Sequence, residues 1–292
     1  MRLRLFANSR RGSNPLNCNG WMMASVDCLP RTREELLDLC THYFGEERVR
    51  KIQKGLAMPR HGGFRAPDKI LMMLFPSRSG SNYFGQLLSS TGWFNEIAES
   101  FNHLQLAKIR ERKGLADTHE AVQWMIDNRG TEHAFGFKAG FFVLTGAVET
   151  GFLSEVIDRT EVVLLRRRDR IAQGISLEKM KLTGRRHSRQ PLERPLRDDD
   201  YDGDSIRRQV LNIINTEKKL ADCAERLGKT APLYYYEDIC AEPETHVRKV
   251  CDLLGLEMPE NYAPTKVRLK VLRDELSERW ADRFRNEYPD IS

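Results

Sequence analysis

Hydrophobic positions along this chain follow two spacings, and the change between them is sharpest from Lys69 to Thr91, KILMMLFPSRSGSNYFGQLLSST. Ile70 to Phe75 is an unbroken apolar run, the pattern of a strand buried on both faces of a parallel sheet. Pro76-Ser77-Arg78-Ser79-Gly80 breaks it. From Ser81 the apolar residues Tyr83, Phe84, Leu87 and Leu88 take helical spacing. The stretch reads as strand, tight loop and helix.

The same alternation recurs downstream. Ala134 to Lys138, Glu161 to Leu165 and Pro232 to Tyr236 read as short strands. Ala121 to Asn128, Ile171 to Leu182, Ser205 to Leu227 and Glu242 to Leu254 read as helices, with a capping box at Asp117-Thr118-His119-Glu120 and glycine stops at Gly130, Gly228 and Gly255. Phe141 to Leu144 either continues the second strand or opens a helix. Strands that alternate with helices predict an α/β fold of three layers, a central parallel sheet flanked by helices. Upstream, Thr32 is placed to cap a helical segment running to about Ala57, with Leu36, Leu37, Cys40 and Tyr43 on one face. His61 to Pro67 reads as a linker, Trp93 to His103 as an irregular connection, and Gly184 to Asp204 as a polar loop or lid. Lys266 to Tyr288 is helical in pattern, with Leu272, Leu276, Trp280 and Phe284 on one face. The expected organisation is an N-terminal extension over 1–30, a helical arm and linker over 31–68, and the main domain over 69–292. Residues 1–30 are disordered in composition, and Met22 and Met23 are nearby alternative starts.

Composition narrows the function classes. Hydrophobic residues make up 40% of 292, enough for a sizeable core. The net charge of +5 is modest, with dense basic groups at Arg166-Arg167-Arg168 and Arg185-Arg186. This suits a small anionic ligand better than a nucleic acid, which asks for a stronger basic footprint. Six cysteines stand in no CxxC pair, so neither a zinc site nor a disulfide framework is indicated, and reduced thiols point to the cytoplasm. No apolar run approaches the roughly 20 residues of a membrane span. The basic N-terminus has no apolar core of a signal peptide.

The loop after the first strand has the composition of an anion cradle. A strand–loop–helix turn aims backbone N–H groups and a helix N-terminus at one point. Gly80 allows close approach, Ser77, Ser79 and Ser81 supply hydroxyls, and Arg78 adds a forked cation. It is not a Walker A loop: no glycine stands five before Gly80, and Ser81 occupies the lysine place. A Mg-dependent kinase is thus the weaker enzymatic reading. A second candidate follows the 161–165 strand, where Arg168 and Ser176 stand eight residues apart and can clamp one phosphate. In parallel α/β sheets both loops fall at the carboxyl ends of the strands, where ligands bind.

These motifs resemble a PAPS-dependent sulfotransferase, most of all the bacterial Stf0 (trehalose 2-sulfotransferase) family. Pro76 to Ser81 followed by Thr91-Gly92 is similar to that family's P-R-[ST]-G-S and T-G elements, with Ser77 inserted and Asn82 in the place of a threonine. Arg168 and Ser176 match the Arg-x7-Ser element. Ala134-Phe-Gly-Phe-Lys138, Tyr235-Tyr-Glu-Asp238 and Trp280 to Phe284 resemble further segments. The resemblance, spanning roughly 69–288, implies 3′-phosphoadenylyl sulfate (PAPS) as co-substrate, no metal, and a carbohydrate or glycolipid acceptor. It places Arg78, Ser79, Gly80, Ser81 and Asn82 at the 5′-phosphosulfate, and Arg168 and Ser176 at the 3′-phosphate. It makes Glu99 the base, although the glycine and proline that precede the family's glutamate are replaced by Asn95 and Ile97, and Glu96 is the reserve. Arg78 is expected to stabilise the departing phosphate. The rival readings are an atypical P-loop kinase and a non-catalytic nucleotide or polyanion binder. Peripheral membrane contact and homo-oligomerisation are left open.

Overall fold

The computed structural model describes residues 29–56, 58, 61–184, 194–264 and 274–291. Four strands, β1 (Lys69–Leu74), β2 (Ala134–Ala139), β3 (Thr160–Arg166) and β4 (Leu233–Tyr235), run parallel in the order β2-β1-β3-β4. Parallel neighbours need crossovers, and helices supply them. In chain order these are α1 (Arg33–Phe44), α2 (Glu46–Leu56), α3 (Ser81–Ser89), α4 (His103–Lys113), α5 (Thr118–Arg129), α6 (Phe141–Glu149), α7 (Phe152–Val156), α8 (Arg170–Thr183), α9 (Gly203–Arg226), α10 (Tyr236–Ala241), α11 (Pro243–Leu254) and α12 (Glu275–Glu287).

Strand alternation divides the core. Ile70, Met72, Leu74, Phe135, Phe137, Val162 and Leu164 face one layer, built by α1, α2, α5, α6 and α9. Leu71, Met73, Phe75, Val163 and Leu165 face the other, built by α3 and α11. Ile70 to Leu74 are fully buried, as the unbroken apolar run requires. The three-layer α/β fold with a central parallel sheet is therefore the fold of this chain. A third cluster joins α8, α9 and α12 through Ile175, Val210, Trp280 and Phe284. No helix among the described residues is long and apolar enough to cross a membrane.

Local chemistry explains where the elements begin and break. The Thr32 hydroxyl accepts from the Glu35 N–H, and the Glu35 carboxylate accepts from the Thr32 N–H at 3.0 Å, which closes a capping box on α1. The N-terminal segment is two helices, α1 and α2, divided at Gly45. Both contribute to the first core layer, through Leu36, Cys40, Ile52 and Leu56, and Arg33 donates to the buried Glu149 carboxylate of α6 at 2.6 Å. Phe141 opens α6 rather than extending β2.

Helices α4 and α10 have weak sequence signatures. Only His103 and Leu106 of α4 are buried, so its apolar pattern is thin. The six-residue α10 starts directly at the end of β4. In the polar segment after α8, Arg194 forks onto Asp200 at 2.7 and 2.9 Å, and Arg279 of α12 reaches Asp198. The expected disorder of residues 1–28, the body of the lid at 185–193, and the start of the tail helix at 265–273 lie outside the described residues.

Phe101 anchors the connection between α3 and α4. Its ring is fully buried and lies 5.0 Å from Phe137 and 4.7 Å from Phe152, centroid to centroid. Phe101→Ala is expected to cost about 3–5 kcal/mol through lost burial and the cavity left behind. Urea unfolding of the two proteins checks this value.

Candidate active site at the carboxyl ends of the strands

The two candidate loops meet because β1 and β3 are neighbours. Leu74 pairs with Leu164 in parallel register. Arg78 and Arg168 each stand four residues beyond that pair, so both leave the sheet at the same edge. Among the described residues, hydrogen bonds then tie the first loop to α8. The Arg78 Nε–H donates to the Ser176 hydroxyl at 2.9 Å, and the Gln173 side-chain amide donates to the Ser77 carbonyl at 2.7 Å. These residues lie almost a hundred positions apart in sequence.

The first loop has the geometry of an anion cradle. Gly80 is the N-cap of α3 at φ +89°, and a Cβ there would overlap the ring of Tyr236. Only glycine suits both demands. Arg78 is, among the described residues, the one non-glycine at positive φ, +66°. A left-handed L-residue costs about 1–2 kcal/mol, and such outliers concentrate at functional sites. Ser81 and Asn82 open α3, where backbone N–H groups have no carbonyl partner within their own helix. The Ser79 hydroxyl is fully buried and, among the described residues, has no hydrogen-bond partner. The Arg167 Nε–H is orphaned in the same way, with the Glu237 carboxylate 3.8 Å away. Two buried donors without acceptors, beside a helix N-terminus, fit an oxyanion such as a phosphate or a phosphosulfate.

Charge accumulates around this cradle. The guanidinium of Arg167 lies 5.3 Å from the centroid of the Tyr236 ring. Burial lowers the Arg78 pKa, and repulsion from Arg167 lowers it further. Lys138, at the end of β2, is buried on the α3 side and donates through Nζ to the Asn82 side-chain oxygen. Burial pushes its pKa down to about 8, against the opposing pull of Glu99 and Glu96. The sequence marked Lys138 and left its role open. Arg167 sits inside a basic triplet, where period-two alternation is the signal that separates it from its neighbours. Arg166 donates to the Glu217 carbonyl on α9, whereas Arg167 turns toward Tyr236 and the first loop.

The second loop is held differently. The Glu237 carboxylate accepts from the backbone N–H groups of Arg168 at 3.0 Å and Asp169 at 3.3 Å. Its backbone donors are therefore engaged, and contact with a ligand falls to side chains. Arg168 is half exposed, stacks 4.1 Å over the Tyr235 ring, and forks onto Asp238 at 2.5 and 2.8 Å. Ser176, two turns into α8, faces the first loop. The structure thus joins Arg78 to Ser176 and sets Arg168 on Asp238 at the rim.

Glu99 arrives from the connection after α3. That segment runs alongside β2, with the Lys138 N–H donating to the Ala98 carbonyl at 3.0 Å and a bridge between Ala98 and Phe137. Gly136 makes room, since a Cβ there would meet Ile97 at 2.9 Å. Glu99 is half-buried within the field of Lys138, and its carboxylate accepts no hydrogen bond from the described residues. Glu96 is exposed and paired with Arg129 at 2.9 Å. Of the two carboxylates, Glu99 is the one without an ion-pair partner among the described residues.

Residues 144–287 match the family described as Stf0 sulphotransferase, a span that includes Arg168 and Ser176 and begins after the first loop. No curated protein matches the chain. Among solved structures it is similar to a sulfotransferase from Alicyclobacillus acidocaldarius, with 14% identity over 78% of this chain and 94% of that one and a TM-score of 0.44. It is also similar to the sulfotransferase domain from the Synechococcus PCC 7002 olefin synthase, with 13% identity over 77% and 97% and a TM-score of 0.41. The second anion motif, Arg168 and Ser176, thus lies inside the stretch that matches the Stf0 sulphotransferase family.

Proposed function

We propose that this chain is a sulfotransferase that moves a sulfuryl group from PAPS to a hydroxyl of a carbohydrate acceptor, a sugar, glycolipid or surface polysaccharide. The observation that carries this reading is the 2.9 Å bond from Arg78 to Ser176, which brings the two anion motifs into one site. PAPS carries its anionic groups at the 5′ and 3′ positions, and the two motifs offer a grip for each. In this scheme the loop from Arg78 to Asn82 holds the 5′-phosphosulfate, with Ser79 and Arg167 supplying the orphaned buried donors. Ser176 and Arg168 hold the 3′-phosphate, Arg168 exchanging or sharing its bond to Asp238.

The acceptor oxygen attacks sulfur in line. Its proton passes to the Glu99 carboxylate, the bond from sulfur to the bridging oxygen breaks, and 3′,5′-ADP departs with the electron pair. Arg78 and Lys138 offset charge growing on the departing phosphate. Most of the catalysis is positioning by a rigid strand-end scaffold. A radiolabelled-sulfate assay from PAPS against extracted glycans and glycolipids tests the reading. Labelled glycan is the expected product. Tight 3′,5′-ADP binding with no transfer to any glycan would favour a non-catalytic binder, and turnover that requires Mg and ATP would favour a kinase.

Two expected outcomes concern the nucleotide alone. Arg168→Ala should weaken 3′,5′-ADP by about 10–100-fold, the range for charge-assisted hydrogen bonds, and leave 5′-AMP nearly unchanged. Equal losses for both nucleotides, measured by calorimetry, would reject a clamp on the 3′-phosphate. The second outcome follows from Lys138, whose pKa is pushed down to about 8. A bound anion favours the ammonium form. Nucleotide binding therefore draws a proton onto Lys138, and affinity falls as pH rises through about 8. Titrations of 3′,5′-ADP on either side of that pH should show the fall, and Lys138→Met should flatten it.

A further inference from the structure

Beside the Glu99 segment the structure holds a second recess, of about 280 Å³, between α4 and α5. This is just below the range of about 300–1,000 Å³ for ligand clefts, the size of a subsite rather than of a whole ligand pocket. One face of α4 supplies Lys108, Arg112 and Lys113, and α5 supplies Trp124 and Arg129. The Lys113 ammonium lies 4.9 Å from the centroid of the Trp124 ring. Lys108 and Arg112 stand one helical turn apart, where like charges repel. Neither forms an ion pair with a described residue, and Glu96, the one carboxylate among the described lining residues, is already bound to Arg129. The recess therefore has an uncompensated positive wall.

It also adjoins the reacting end. Arg129 donates to the Ser100 hydroxyl at 3.1 Å, and Ser100 follows Glu99. Glu96 and Arg129, both in its wall, act electrostatically on Lys138. A ligand seated here would lie next to the hydroxyl that Glu99 is placed to deprotonate.

We propose that the α4–α5 recess is an acceptor subsite for an anionic sugar residue, one that carries a carboxylate or a sulfate group. This rests on the sulfotransferase reading and specifies its substrate class. Trp124 offers a flat amphipathic face beside a sugar ring, and Lys108 and Arg112 supply charge for the anionic group. The acceptor is then a chain in which the modified residue neighbours an acidic one. A preference for sulfate would mean that the enzyme extends an existing sulfation pattern. A preference for carboxylate would mean that it acts on a uronate polymer.

Calorimetry on the full chain tests this with three probes: a glucuronate-containing tetrasaccharide, a sulfated tetrasaccharide and neutral maltotetraose. The wild type should bind at least one anionic probe more tightly than maltotetraose, and the preferred probe identifies the anionic group. The double variant Lys108→Gln/Arg112→Gln should weaken that probe roughly tenfold, as for two exposed charge contacts acting together. A control that removes two exposed charges elsewhere, Lys218→Gln/Lys249→Gln, should leave it unchanged. No preference over maltotetraose, or equal losses in both double variants, would overturn the subsite. Parallel titration of 3′,5′-ADP separates the two readings. Failure to bind that nucleotide would count against the sulfotransferase scheme, while the tetrasaccharide comparisons would still decide the recess.

Discussion

Glu99→Gln is expected to lower sulfuryl transfer by about 10²–10⁴-fold, the usual contribution of a positioned general base, and to leave 3′,5′-ADP affinity unchanged. The amide keeps the shape of the side chain and loses its proton-accepting strength. Glu99 is half-buried at the end of β2, its carboxylate free of hydrogen bonds from the described residues and within the field of Lys138. Glu96→Gln is the matched control. Its carboxylate is exposed and tied to Arg129, so its loss should affect transfer far less. Single-turnover transfer rates with saturating PAPS distinguish the two variants. Normal turnover in Glu99→Gln would remove it as the base, and a larger loss in Glu96→Gln would reverse the assignment.

Arg78→Ala is the second large effect, about 10²–10³-fold in kcat, as when one fixed donor to a developing charge is removed. Arg78 is partly buried, held at φ +66° and bonded to Ser176. In the proposed scheme its removal takes away a cation at the departing phosphate, together with the bond to Ser176 on α8. Arg78→Lys should recover part of the rate, since it keeps charge and loses the forked geometry. Its pKa, lowered by burial and by Arg167, starts from the highest value of any side chain, so no pH dependence near neutrality is expected from this residue. Measured kcat for the three proteins, with 3′,5′-ADP affinity alongside, separates loss of catalysis from loss of binding. An alanine variant with unaltered kcat would take Arg78 out of the mechanism.

The inner strands β1 and β3 were legible because Ile70 to Leu74 and Val162 to Leu165 are short, apolar and buried, the pattern of a strand covered on both faces; β4, with Leu233 exposed, was legible from its aromatic run Tyr234-Tyr235. The first loop was legible because Pro76 to Gly80 interrupts a strand pattern and a helix pattern directly. Helices such as α4 were not, because burial of only His103 and Leu106 leaves almost no amphipathic signal. Within the site, Ser176 could be paired with an arginine from spacing, but which arginine it touches is a matter of tertiary geometry. It is Arg78 that donates to Ser176, while Arg168 turns to Asp238. Asp238 and Glu237 lie about seventy positions downstream, and only the adjacency of β3 and β4 brings them to Arg168. Arg167 and Lys138 were visible as residues and not as partners, because burial and electrostatic neighbours decide their chemistry.

The α4–α5 recess extends this lesson. Its charges come from a helix whose own pattern is weak, and its neighbour Glu99 comes from an irregular connection. Both are positioned by Phe101 and by the bridge of Ala98 to β2. Acceptor recognition would then depend on packing that lies outside both anion motifs.

A crystal structure of the full chain with 3′,5′-ADP tests the joint grip most directly. One nucleotide should span both loops, its 5′-phosphate within hydrogen-bond distance of the N–H groups of Gly80 to Asn82 and its 3′-phosphate within reach of Arg168 and Ser176. A nucleotide that touches only one of the two loops, or that lies at the opposite edge of the sheet, would contradict the account.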